Sequence, residues 1–104
     1  MIEIAKNDFM SEVRLEAIKK INDESALADI AKNDSNVTVR REAVAKITDE
    51  SVLINIAKND SSELVRFISV NRISDESVLA EIAQKDPEQM VRDEAKRRLE
   101  KIKK

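Results

Sequence analysis

The chain has 104 residues, with 19 Lys and Arg against 21 Asp and Glu for a formal charge of −2, and it contains no Gly, Cys, His, Trp or Tyr. This composition excludes a disulfide framework, a thiolate metal site, histidine acid–base chemistry and a glycine-rich phosphate loop. The near-neutral balance gives no bulk attraction for nucleic acid or membrane, and no apolar run is long enough to span a bilayer. Met1 opens into Ile-Glu-Ile-Ala without the basic start and apolar core of a secretory signal, so a cytoplasmic location is expected.

The elements recur with a fixed period. Ala-Lys-Asn-Asp begins at Ala5, Ala31 and Ala57 and returns as Ala-Gln-Lys-Asp at Ala83, so each start follows the last by the same interval. Val-Arg recurs in step at Val13, Val39, Val65 and Val91, and Asp-Glu-Ser at Asp23, Asp49 and Asp75. Residues 1–104 are therefore read as one domain of four copies, 1–22, 23–48, 49–74 and 75–104. The first copy lacks the Asn-Asp-Glu-Ser lead-in, which fits either a native start or a segment of a longer array.

Each copy reads as two helices. Leu27, Ile30 and Ala31, then Leu53, Ile56 and Ala57, fall at i, i+3, i+4 on one helical face. Val39, Ala43 and Ile47 line a second helix, with Val44 widening its apolar face. Asn22, Thr48 and Ser74 are expected as N-caps of the first helices, each before an acidic pair suited to a helix start. Asn7, Asn33 and Asn59 are expected to end those helices as left-handed caps. Asp8, Asp34, Asp60 and Asp86 are expected to cap the second helices. Asp60/Glu63 and Asp86/Gln89 have capping-box spacing, and Pro87 stands at a first helical position. A two-residue turn and a one-residue turn complete each unit. At the last copy, the position of Ile18, Val44 and Val70 becomes Lys96, and Asp93, Arg97, Arg98 and Lys101 extend a polar end cap.

A short helix pair with Asp in its turn and Val-Arg ending six residues later resembles a HEAT-type repeat along the whole chain. It is most similar to short variants in bacterial and archaeal proteins and in phycobiliprotein-lyase-type repeat proteins. Val65-Arg66 through Asn71, followed by Ser77-Val78-Leu79, also resembles the leucine-rich repeat variant, although the period here is slightly long for it and short for HEAT. The resemblance implies an all-α fold: a right-handed superhelix, or solenoid, of four 26-residue helix pairs, with the second helices on the concave side. It further implies an Asp–Arg ladder between adjacent repeats, comprising Asp8, Arg14, Asp34, Arg40, Asp60, Arg66, Asp86 and Arg92. Family members are scaffolds and protein binders; rarer ones bind or modify nucleic acid.

Four copies of one Asp–Arg contact point to structure rather than to a carboxylate–guanidinium catalytic site. The places where the copies differ are better functional candidates. Leu64, Phe67 and Ile68 put apolar side chains on a second-helix face that is polar in the other copies, and Met90 falls one repeat away. With a rim of Arg41, Glu42, Asn71 and Arg72, this face is the expected site for a protein partner or for self-association. The basic run Lys96, Arg97, Arg98, Lys101, Lys103 and Lys104 is interleaved with acids and lacks aromatics for base stacking, so nucleic-acid binding is disfavoured. Ser25, Ser51 and Ser77 have no histidine to activate them, and no calcium loop is present. The expected function is a non-catalytic protein-binding scaffold or adaptor, with no cofactor, metal, membrane or small-molecule substrate. The alternative is a structural spacer or array fragment without a site of its own.

Overall fold

A computed structural model describes Ile4 and residues 10–103. Among the described residues the secondary structure is wholly helical: α1 (Ser11–Ile18), α2 (Glu24–Asn33), α3 (Val37–Lys46), α4 (Glu50–Asn59), α5 (Glu63–Val70), α6 (Glu76–Lys85) and α7 (Gln89–Lys103). The chain divides into two compact units, Met1–Asp49 and Glu50–Lys104. Each unit therefore holds two of the sequence copies. In the first unit α3 packs against both α2 and α1; in the second, α5 packs on α4, α7 on α6, and α7 on α5.

The apolar stripes explain why these helices pair. Leu27, Ile30, Ala31, Leu53, Ile56 and Ala57 are all buried, as are Val39, Ala43, Val44 and Ile47. Burying each larger side chain of this kind stabilises the fold by about 1.5–3 kcal/mol. Lys96 is exposed where Ile18, Val44 and Val70 are buried. Ser69 is the polar exception in the core. It sits in the register of Ala17, Ala43 and Ala95, and its hydroxyl donates 2.8 Å to the carbonyl of Val65 one turn back, which satisfies it without solvent.

The turns differ from the sequence expectation in four respects. First helices begin one residue later than expected: Asp23 and Asp75 are the N-caps, accepting from Ala26 N at 3.1 Å and Val78 N at 3.2 Å. The Ser77 hydroxyl and the Val78 N–H together hold the Asp75 carboxyl below its ordinary value. Secondly, no described residue has a positive φ, so Asn33 and Asn59 are not left-handed caps. Each is the last residue of its helix and bonds back one turn, Asn33 to Asp29 Oδ1 and Asn59 to the Asn55 carbonyl. The chain then leaves α2 and α6 through extended Asp34 and Asp86. The absence of Gly follows, because no described turn needs the conformation that Gly permits. Asn7 lies outside the described residues.

Thirdly, Asp34, Asp60 and Asp86 do not cap the second helices. They stand two residues before the cap, and their Oδ1 atoms accept the N–H of Asn36, Ser62 and Glu88 at 2.9, 2.8 and 2.9 Å. Asn36 is the cap of α3, accepting from Thr38 N and Val39 N. Glu63 and Gln89 open their helices and so form no capping box, and Pro87 lies in the turn before α7. Asp34 and Asp86 are in addition held by guanidinium groups one repeat away. Fourthly, the turns are longer than expected. Residues 34–36, 60–62 and 86–88 join helices within a copy, and 19–23, 47–49 and 71–75 join successive copies.

Candidate functional site

The Asp–Arg contacts have the same geometry in both units. Arg14 Nε and Nη2 donate to Asp34 Oδ2 and Oδ1 at 2.8 and 3.1 Å. Arg66 Nε and Nη2 donate to Asp86 Oδ2 and Oδ1 at 2.9 and 3.4 Å. Both pairs are buried. The Nη1 of each later arginine also holds the carbonyl of the Asp in its own repeat: Arg40 on Asp34 at 2.8 Å, Arg66 on Asp60 at 2.8 Å and Arg92 on Asp86 at 2.7 Å. Asp8 lies outside the described residues. With Asp34 and Asp86 already accepting from a guanidinium fork and a backbone N–H, these pairs are arranged to hold two repeats together.

Two further kinds of contact join repeats, and sequence reasoning missed both. Glu24 accepts from the Thr48 N–H at 2.7 Å and from the Thr48 hydroxyl. Glu50 accepts from the Ser74 hydroxyl at 2.8 Å, from the Ser74 N–H at 3.2 Å and from the Asp75 N–H at 3.1 Å. The Thr48 donors hold the Glu24 carboxyl below its ordinary value. Lys46 Nζ donates to the carbonyls at the end of α1 and beyond it (Ile18 at 2.8 Å, Lys19 at 3.2 Å, and Ile21), and Arg98 donates to the Ile73 carbonyl at 2.9 and 3.2 Å. The available signal was the periodic recurrence of the acids and bases themselves, Glu24/Glu50 and Lys46/Arg98.

The apolar candidates fall on the second helices of unit 2. Leu64, Phe67 and Ile68 lie at i, i+3, i+4 of α5, and Met90 lies on α7, which packs against α5. Leu64 is 45% exposed and Met90 41% exposed, while Phe67 and Ile68 are half-buried. The positions equivalent to Leu64 and Phe67 on α3, Thr38 and Arg41, are polar and exposed. Arg41 therefore belongs to the other unit.

Asn71 on the rim meets a buried acid of α7. Glu94 shares the register of Ile68, on the face whose other copies are polar, yet it is buried. Its carboxylate accepts from Arg97 Nε and Nη2 at 2.8 and 2.6 Å and from Asn71 Nδ2 at 2.7 Å. These bonds, Arg97 foremost and Asn71 next, hold the Glu94 carboxyl below its ordinary value against the opposing effect of burial. Asn71, an expected rim residue, is exposed and donates one amide hydrogen to Glu94. In the basic run, exposed Arg97 donates to Glu94, half-buried Arg98 donates to the Ile73 carbonyl, and Lys96, Lys101 and Lys103 are exposed.

A cleft of about 370 Å³ opens in unit 2 beside the turns that follow α4 and α6, lined by Lys58, Asp60, Arg66, Glu81, Lys85 and Asp86 among others. Its charges are largely paired. Lys58 meets Glu81 at 2.9 Å, Lys85 approaches the same carboxylate at 3.9 Å, and Arg66 holds Asp86. Lys58 holds the Glu81 carboxyl below its ordinary value. Among the described residues no three acids come together as a metal site, and no helix is long and apolar enough to cross a membrane. No family model, curated protein or solved structure matches this chain.

Proposed function

We propose that the chain is a HEAT-like right-handed α-solenoid of four helix pairs, acting in the cytoplasm as a non-catalytic protein-binding scaffold. The binding surface is the second-helix face of the second unit, centred on Leu64, Phe67, Ile68 and Met90, with Asn71 as a polar contributor. The observation that supports this most is the exposure of Leu64 and Met90 at equivalent register positions on α5 and α7, which pack together. Two large apolar side chains held in solvent on neighbouring helices, next to a half-buried Phe67, form a patch that stacking does not use. Aromatic and methionine side chains are enriched at the centres of protein interfaces.

The test compares the proteins retained by the wild-type chain with those retained by a Leu64→Ser/Phe67→Ser variant. Circular dichroism and thermal melting are measured in parallel. Loss of a specific bound protein from a variant with unchanged helicity supports the reading, and recovery of binding by Leu64→Met would localise it. Identical retained proteins with both chains would favour the spacer reading instead.

A further inference from the structure

The α5–α7 face of the second unit carries its side chains in a definite order. At the amino-terminal ends of the two helices stand Glu63, the first residue of α5, and Glu88, the residue before α7. Both are exposed, and their side chains have no partner among the described residues. Next come the apolar side chains, exposed Leu64 and Met90 with half-buried Phe67 and Ile68. Beyond them lie exposed Asn71, Arg97 and Lys101. Glu94 holds Arg97 through Nε and Nη2, which leaves Nη1 toward solvent on a side chain that is 46% exposed. Lys101, one turn further on, has no partner among the described residues.

This order is antisymmetric about Phe67. Glu63 stands four residues before it and Asn71 four residues after it. At the helical rise per residue, each lies about 6 Å from the level of Phe67. The 2.7 Å bond from Asn71 to Glu94, and the grip of Glu94 on Arg97, bring the basic residues of α7 to the same end as Asn71. A surface that is acidic at one end, apolar in the middle and basic at the other complements a copy of itself turned end over end. Isologous two-fold contacts require that property. It is not a by-product of repetition, because the corresponding middle of α3 is Thr38, Arg41 and Glu42.

We propose that the occupant of this face is a second copy of the chain, docked across a two-fold axis near Phe67 with α5 and α7 antiparallel to their counterparts. The inference rests on the binding face proposed above and names its partner. Leu64, Phe67 and Met90 of the two copies meet at the centre. The end of each copy that carries Arg97 and Lys101 lies over the end of the other that carries Glu63 and Glu88. The two-fold uses every contact twice and covers the face on both copies, so assembly closes at a dimer. Asp93, exposed on α7 in the register of Phe67, comes near its own counterpart at the axis. That like-charge approach opposes the contact and keeps the dimer weak.

Sedimentation of the full chain over a concentration series, with circular dichroism on every variant, tests this. Wild type is expected to pass from monomer to dimer mass and to stop there. Leu64→Ser/Phe67→Ser should stay monomeric with its helicity unchanged, and Asp93→Asn should dimerise at lower concentration. Glu88→Lys and Lys101→Glu should each weaken the dimer about fivefold or more, because each reversal sets like charges together twice. Combining the two reversals in one chain exchanges the ends and should recover most of the loss. Monomeric mass for wild type and Asp93→Asn alike would overturn the second copy as the occupant. The face itself would then stand or fall on the retained proteins compared above. Growth past dimer mass, a dimer that survives Leu64→Ser/Phe67→Ser, or a double reversal no tighter than the single ones would also overturn the proposal.

Discussion

Helices α3 and α5 occupy the same register in different units, and their likenesses and differences fall into two sets. Where a side chain is enclosed they agree: Val39 and Val65, Val44 and Val70, Ile47 and Ile73 are matched and fully buried, and Ala43 is answered by the small Ser69. Arg40 and Arg66 both hold the carbonyl of the Asp six residues before them. Where a side chain faces outward they part, with Thr38, Arg41 and Glu42 on α3 against Leu64, Phe67 and Ile68 on α5. A close-packed interior penalises both voids and overfilling, so enclosed positions are constrained in every copy alike. Outward positions carry no such constraint. Exposed Leu64 is therefore not accounted for by stacking.

The strongest way to test the shared half of this comparison is to remove an enclosed charge. Arg66→Ala leaves the Asp86 carboxylate buried beside an empty guanidinium site and frees the Asp60 carbonyl. The expected loss is about 3 kcal/mol or more in denaturant unfolding. Arg14→Ala should cost a similar amount in the other unit, because it strips Asp34 of the same fork. Arg66→Ala combined with Asp86→Ala should cost less than the sum of the two, as a double-mutant cycle would show. Unequal effects of Arg14→Ala and Arg66→Ala would mean that equal geometry does not carry equal weight in the two units.

A smaller and pH-dependent effect is expected at Glu94. Its folded carboxyl lies below the ordinary value of 4.5, with Arg97 as the main cause and Asn71 contributing. A carboxyl depressed in the folded state adds stability at pH above its unfolded value and loses it as pH falls through the folded value. Stability measured from pH 7 downward should therefore hold to about pH 5 and then decline. Glu94→Gln should flatten part of that decline, and Asn71→Ala should remove about 1 kcal/mol at neutral pH. An unchanged acid limb in Glu94→Gln would show that its network adds nothing to the fold.

Much of the helical architecture was legible because it is written in apolar spacing, which the periodic sequence displays several times over. Leu27, Ile30 and Ala31 need only helical geometry to share a face, and all are buried. The turns were less legible because Asn, Asp, Ser and Thr can satisfy a helix end in several ways, and neighbours in space decide among them. Asp34 could cap α3, but Arg14 claims its carboxylate and the cap passes to Asn36. Thr48 was expected as a cap, but α4 opens one residue later, at Glu50, and the Thr48 hydroxyl donates to Glu24 of the preceding helix pair. The burial of Glu94 was not legible for a related reason: a helical wheel counts angle and knows nothing of Asn71 and Arg97, which make its burial tolerable. At the candidate site the apolar character of Leu64 and Phe67 was readable. The hydrogen bond from Asn71 to Glu94 was not.

The smallest expected effect is the sharpest test of the divergent half of the comparison. Leu64 and Val65 are adjacent on α5, one 45% exposed and the other fully buried. Val65→Ala leaves a void among side chains that cannot close around it and should cost about 2 kcal/mol. Leu64→Ala removes more carbon, but from a position already in water, and should change stability by less than about 0.5 kcal/mol. Thermal melts of the two variants read the difference directly. Equal losses would make the outer side of α5 part of the core and remove the basis for a binding face. A neutral Leu64→Ala means that α5 keeps an exposed leucine for which its own folding has no use.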